Sequence, residues 1–165
     1  MGADLYINSV FEPNNKKYTP QFDAAVSKRN SVTKHDSKEA EAAQKRVDKY
    51  FDLMYGKGYF RDSYNSTSLL WRLDLSWWSD VGDMLDEEGD LSPAKAHLFL
   101  EMLESRSIAP ITKKELEEYD GNGKSKKVSQ KQVDEWNEYY INKKKKLIAF
   151  LKLAIKLNEP IHCSI

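Results

Sequence analysis

Between Ser129 and Asn158 the chain can do little but form one long helix. Ser129 and Gln132 make a capping box, each side chain placed to satisfy the other's backbone N–H. Val133, Trp136, Tyr140, Leu147, Leu151 and Ala154 share one face, and Asn158 and Pro160 supply the stop. Unbroken, the element runs about 42 Å at roughly 1.5 Å per residue. From Leu147 to Leu157 only Lys152 and Lys156 are not apolar, so this half belongs inside a fold with a thin lysine strip at the surface. The expectation is an all-α chain, or a mainly α one with a single short N-terminal extended segment. It would be a compact helical bundle with a long C-terminal helix, in one domain over residues 1–165.

Other helices announce themselves by the same local signals. Asp36 with Glu39 is a capping box, after which Ala40, Ala43, Val47, Tyr50 and Met54 line one face and Gly56 and Gly58 end it. Ser92-Pro93 starts a helix whose face is Ala96, Phe99, Leu100 and Leu103. Thr112 with Glu115 starts another. The 130–157 helix is expected to pack against 37–55 and 69–85. Near the start, Ala3 to Val10 alternates weakly, an extended segment with no obvious mate. Pro13-Asn14-Asn15 reads as a turn, with a brief helix from Pro20 through Phe22 and Val26.

Acidic and basic residues balance at 26 each, so no global field favours nucleic acid or an acidic membrane. The balance is local, however: residues 56–105 carry −6 and residues 106–165 carry +5. The two blocks can attract each other within one fold, or each can face a partner. No uncharged apolar run is long enough to span a bilayer, and the first residues do not read as a secretory signal or myristoylation site. A single cysteine, Cys163, fits a reducing, cytoplasmic setting.

Few residue sets suggest chemistry. His35, His97 and His162 are scattered, and Cys163 beside His162 lies in a tail expected to fray. Glu118, Asp120, Asn122 and Gly123 have the spacing of a calcium loop, but Ser129 stands where a closing Glu is needed and lysines crowd the positions between. No cofactor or metal is therefore expected. Asp80, Asp83 and Glu87 share a helical face in the densest carboxylate group. Lys143 to Lys146 form a basic shoulder on the last helix rather than a membrane or nucleic-acid surface.

The strongest lead is aromatic. Leu70, Leu73, Trp77 and Val81 form one stripe and Trp71, Leu75 and Trp78 a second, about 100° around. Trp77, continuing the first stripe, is expected to be structural and Trp78 to be available. Ser76 could cap a fresh helix and split the segment. Tryptophans beside carboxylates can cage a cation or hold a basic peptide. The preceding stretch, Tyr59 to Ser68, is rich in turn formers, and its Arg61, Asp62, Tyr64 and Asn65 are expected at the lip of such a surface. The candidate binding set is therefore Arg61, Asp62, Tyr64, Asn65, Trp71, Trp78, Asp80 and Asp83.

The opening Met1-Gly-Ala-Asp-Leu-Tyr-Ile, the stretch Gly58-Tyr-Phe-Arg-Asp-Ser-Tyr-Asn65 and Leu75-Ser-Trp-Trp78 resemble a set of small uncharacterised bacterial and phage-associated proteins. The likeness covers about the first 105 residues and implies a bacterial, cytoplasmic origin; no activity comes with it. Two functions are consistent with the residues. One is a non-enzymatic protein-interaction module with an acidic, tryptophan-rich surface. The other is a small enzyme using Arg61, Asp62 and the 80–90 carboxylates on an unidentified substrate. A pocket with convergent polar groups would favour the second.

Overall fold

A computed structural model describes residues 2–33, 37–118 and 127–165. Contacts divide the chain into two compact units, Leu5–Tyr59 and a larger one of Met1–Asp4 with Phe60–Ile165. Helix dominates, but the chain is not purely α: four strands make one sheet. Among the described residues no helix is long and apolar enough to cross a membrane.

The smaller unit is a helical hairpin of α1 (Asn8–Asn30) and α2 (Lys38–Tyr55). The expected turn at Pro13-Asn14-Asn15 is absent; Pro13 and Pro20 both lie inside α1. Seven residues apart, they fall on one side of the helix, and both are exposed. The carbonyls they leave without an N–H thus face the water side, and the packing of α1 on α2 offsets what an interior proline costs. Phe22 meets Phe51 at 6.1 Å between ring centres, Phe51 meets Tyr55 at 4.4 Å, and Tyr55 meets Phe11 at 5.8 Å. Ala43, Val47 and Met54 are the buried face of α2, with Ala40 and Tyr50 at its margin. Its cap is Ser37, whose hydroxyl accepts from the Ala40 N–H at 3.1 Å; the side chains of 34–36, including Asp36 and His35, lie outside the described residues. The Ile7 N–H donates to the Gly58 carbonyl at 2.9 Å. That approach needs a glycine, because a Cβ on Gly58 would lie 2.7 Å from the Phe11 nitrogen.

Four strands form the sheet, in the order β2-β1-β4-β3. Its strands are β1 (Gly2–Tyr6), β2 (Tyr59–Ser63), β3 (Asp90–Leu91) and β4 (Ile161–Ser164). The N-terminal segment is extended over Gly2–Tyr6 with mates on both sides, while Asn8 to Val10, expected to be extended, belong to α1. Cys163 lies in a strand, not a frayed tail, and β4 pairs antiparallel with β3 in the register Asp90↔His162 and Leu91↔Ile161. Alternate residues of each strand are buried: Ala3, Phe60, Leu91, Ile161 and Cys163 point inward. Gly2 sits where a Cβ would collide with the Asp62 carbonyl.

The larger unit also holds α4 (Pro93–Ser105) and the long α6 (Gln130–Leu157), which pack on each other. Both start where local caps place them, on Ser92 and on the Ser129–Gln132 capping box. The buried side of α6 is Val133, Tyr140, Leu147, Phe150, Leu151 and Ala154, whereas Trp136 remains partly exposed at its margin. Within the larger unit α6 packs on α4 and also meets residues 69–72, part of the expected 69–85 contact, while within the smaller unit α2 packs on α1. A short α5 (Lys113–Glu118) starts where expected, with the Thr112 N–H donating to Glu115 Oε2 at 2.7 Å. The acidic middle and basic end do meet within this unit: Lys143 pairs with Asp62, Arg106 with Asp74 and Lys152 with Glu104.

Candidate functional site: an acidic tryptophan groove

The segment after β2 breaks twice, and the breaks build a groove. Helix α3 is a single turn, Leu69–Arg72. The Ser68 hydroxyl accepts from the Trp71 N–H at 3.1 Å, while both oxygens of Asp62 accept from the Leu69 N–H at 3.0 Å and one of them from the Leu70 N–H at 3.3 Å. Asp74 then takes a left-handed conformation with φ 54°, which ends the turn. Aspartate is one of the few side chains that tolerates this region. Ser76 starts a fresh element: its hydroxyl accepts from the Trp78 and Ser79 N–H groups, and Asp80 Oδ2 accepts from its own N–H at 2.7 Å. Residues 77–81 form one π-helical turn and Gly82–Met84 a 3₁₀ turn, so 69–84 is broken after Arg72 and is not one helix.

This geometry separates the two adjacent tryptophans. Trp77 is 2% exposed, meets Phe99 edge-on at 5.9 Å and donates its indole N–H to Asp62 Oδ2 at 2.9 Å. Trp78 is 61% exposed and Trp71 is 63% exposed. Tyr64 lies against Trp78 with ring centres 5.1 Å apart and planes 34° apart. Together Tyr64, Trp71, Trp78, Asp74 and Asp80 line a groove of about 530 Å³, with Trp77 and Leu75 beneath and Ser68 and Ser76 at its turns. No lysine, arginine or histidine lines it.

Asp62 is the opposite of a lip residue. It is 1% exposed, and its carboxylate is enclosed by the Leu69 and Leu70 amides, the Trp77 indole and the Lys143 ammonium at 2.7 Å. Strand alternation explains the split from Arg61, which points outward beside Asp4 with Nε 3.6 Å from the carboxylate. Burial alone would depress the Lys143 ammonium, but the Asp62 charge and hydrogen bond, with help from Tyr139, hold it above the ordinary lysine value. Helix α6 is fastened again by the Tyr140 hydroxyl, which donates to the Thr67 carbonyl at 2.9 Å. Burial pushes that phenol up. The segment leading into the groove is thus anchored to α6 at Asp62 and at Thr67.

Of the other candidates, Asn65 organises the turn before α3: its side-chain oxygen accepts from Ser63 and from the Thr67 N–H. The Tyr64 hydroxyl donates to the Ser164 carbonyl at 3.4 Å, and its phenol is raised by desolvation and by the charge of Asp4. Asp83 is exposed on the next turn, outside the groove lining. The structure therefore gathers Tyr64, Trp71, Trp78 and Asp80, and leaves Arg61, Asp62, Asn65 and Asp83 out. Asp74 belongs to the groove as well, and its one signal in the sequence is an aspartate interrupting an apolar stripe. Among the described residues no three His, Cys, Asp or Glu side chains gather as a metal set, and the loop with calcium-like spacing lies largely outside those residues.

No protein family, curated protein or solved structure matches the chain.

Proposed function

We propose that this protein is a non-enzymatic interaction module, and that the groove of Trp71, Trp78, Tyr64, Asp74 and Asp80 binds a basic segment of a partner protein. The observation that carries the reading is the pair of tryptophans left more than half exposed beside two carboxylates, of which Asp74 meets a cation of the chain, the exposed Arg106. Large aromatic surface held in water by rigid caps is a cost to folding that a binding site recovers. About 530 Å³ also falls in the roughly 300–1,000 Å³ range of ligand sites, enough for one or two side chains. The carboxylates would repel the phosphates of nucleic acid or an anionic bilayer. An enzyme built on Arg61 and Asp62 is disfavoured because Asp62 already has every face of its carboxylate engaged by protein donors.

Tryptophan fluorescence of the full chain, titrated with a Lys/Arg-containing octapeptide and with its Glu-substituted counterpart, tests this. The basic peptide should perturb the emission saturably, weaken as salt is added and lose its effect in Trp78→Ala. Equal response to the acidic peptide, or none to either, would overturn the reading.

A further inference from the structure

We infer that the group this groove recognises is the guanidinium of an arginine side chain, lying flat on an exposed ring with its N–H edge turned toward Asp74 and Asp80. The inference rests on the binding role proposed above and narrows it to one chemistry.

Hydrogen-bonding capacity sets the first condition. Asp74 and Asp80 offer only acceptors. Asp80 commits Oδ2 to the Ser76 N–H and keeps its other oxygen. Two donors in the lining are already used within the protein, the Trp77 indole on Asp62 and the Tyr64 hydroxyl on the Ser164 carbonyl. The indole N–H groups of Trp71 and Trp78 add donors to the lining, but its only charges are the two carboxylates, so its complement is positive. A neutral sugar, which also stacks on tryptophan, brings as many acceptors as donors and no charge.

Ring arrangement sets the second condition. Tyr64 and Trp78 lie against each other with ring centres 5.1 Å apart and 34° between their planes, so no guest fits between them and what they offer is an outer ring face as a platform, not two walls of a box. A planar cation covers a platform with its face while its edge remains free to hydrogen-bond. A compact ammonium can do one or the other, and a quaternary ammonium is best held when several ring faces surround it.

The third observation is internal. The chain's own Arg106 already places a guanidinium nitrogen on Asp74, 3.1 Å from Oδ2 and 3.3 Å from the main-chain carbonyl. The left-handed backbone of Asp74 leaves both acceptors available to one guanidinium. This is a guanidinium-accepting edge at the groove, held by a solvent-exposed ion pair of the weak kind that a better-placed guest displaces.

The test uses four probes on the full chain: Gly-Ser peptides of one framework carrying two arginines, two lysines or two citrullines, and the neutral sugar cellohexaose. Affinity is read by calorimetry and the site by the indole N–H signals of Trp71 and Trp78. The arginine peptide should bind about fivefold or more tightly than the lysine peptide, as stacking on an indole adds to charge. The citrulline peptide, nearly the same shape without the charge, should bind at least about tenfold more weakly than the arginine peptide. Both indole signals should shift with the arginine peptide, and Asp74→Asn should narrow the arginine–lysine difference. Equal or tighter binding of the lysine peptide would overturn the guanidinium assignment while leaving a basic-segment module standing. Failure of both cationic peptides would remove both, and binding of cellohexaose in their place would assign the groove to saccharide.

Discussion

Lys143 Nζ lies 2.7 Å from Asp62 Oδ1, while the other oxygen of the same carboxylate takes the Trp77 indole N–H at 2.9 Å. One buried aspartate therefore ties the long C-terminal helix to the floor of the groove. The pair is almost dry, with side-chain exposures of 14% and 0%.

Removing one member of such a pair strands the other. Lys143→Met should destabilise the protein by about 3–5 kcal/mol, because an uncompensated carboxylate remains inside. The double change Lys143→Met with Asp62→Asn should recover part of the loss. Chemical denaturation of the three proteins measures both; a single variant as stable as the parent would show that the pair contributes nothing.

The adjacent tryptophans should behave oppositely. Trp77→Ala should cost about 3–5 kcal/mol, as truncation of a large buried side chain does. Trp78→Ala should cost less than about 1 kcal/mol, since its ring is mostly in water, yet abolish the fluorescence response to the basic peptide. Urea midpoints compared with peptide titrations separate the two.

Stability should fall on the alkaline side. Lys143 has its folded value raised above 10.5, so its contribution is complete below that pH and is lost as pH climbs through the higher folded value. Burial first, and the charges of Asp90 and Asp86 as well, push the Cys163 thiol up from 9.0 to about 12. The unfolded chain therefore loses that proton earlier, and stability declines from pH 9 towards 12 for the same reason. Thermal melts from pH 7 to 11 should show a falling midpoint. A disulfide reagent should modify native Cys163 only at the rate of unfolding.

Arg106→Gln should release Asp74 to a guest. If Arg106 holds the guanidinium position, the arginine peptide should bind about two- to fivefold more tightly to the variant, the scale of an exposed ion pair. Calorimetry reads this directly; unchanged affinity would show that Arg106 and the peptide do not share Asp74.

Gly58→Ala tests the close approach at the start of α1. A Cβ there meets backbone at 2.7 Å, which cannot be relieved by turning a side chain, so the variant should lose about 1–3 kcal/mol. Circular dichroism during denaturation would show it.

What the sequence determined by itself are the features whose causes lie within one helical turn. Ser92-Pro93, Thr112 with Glu115, and Ser129 with Gln132 each satisfy backbone groups three residues away, and each helix begins there. The divergence of Trp77 from Trp78 is equally local, a consequence of rotation per residue. The tertiary structure decided everything that depends on distant partners. A sheet drawn from residues 2–6, 59–63, 90–91 and 161–164 leaves almost no pattern in strands so short, because its pairings span the chain. Two prolines sit inside α1 because both fall on its exposed side and packing on α2 outweighs local preference. Asp62 reads as a polar loop residue until strand alternation turns it inward and two amides, an indole and a lysine from 81 residues away close around it. The groove arises the same way: Asp74 and Ser76 break the helix that the apolar stripes suggest, and only then do Trp71 and Trp78 open onto one space.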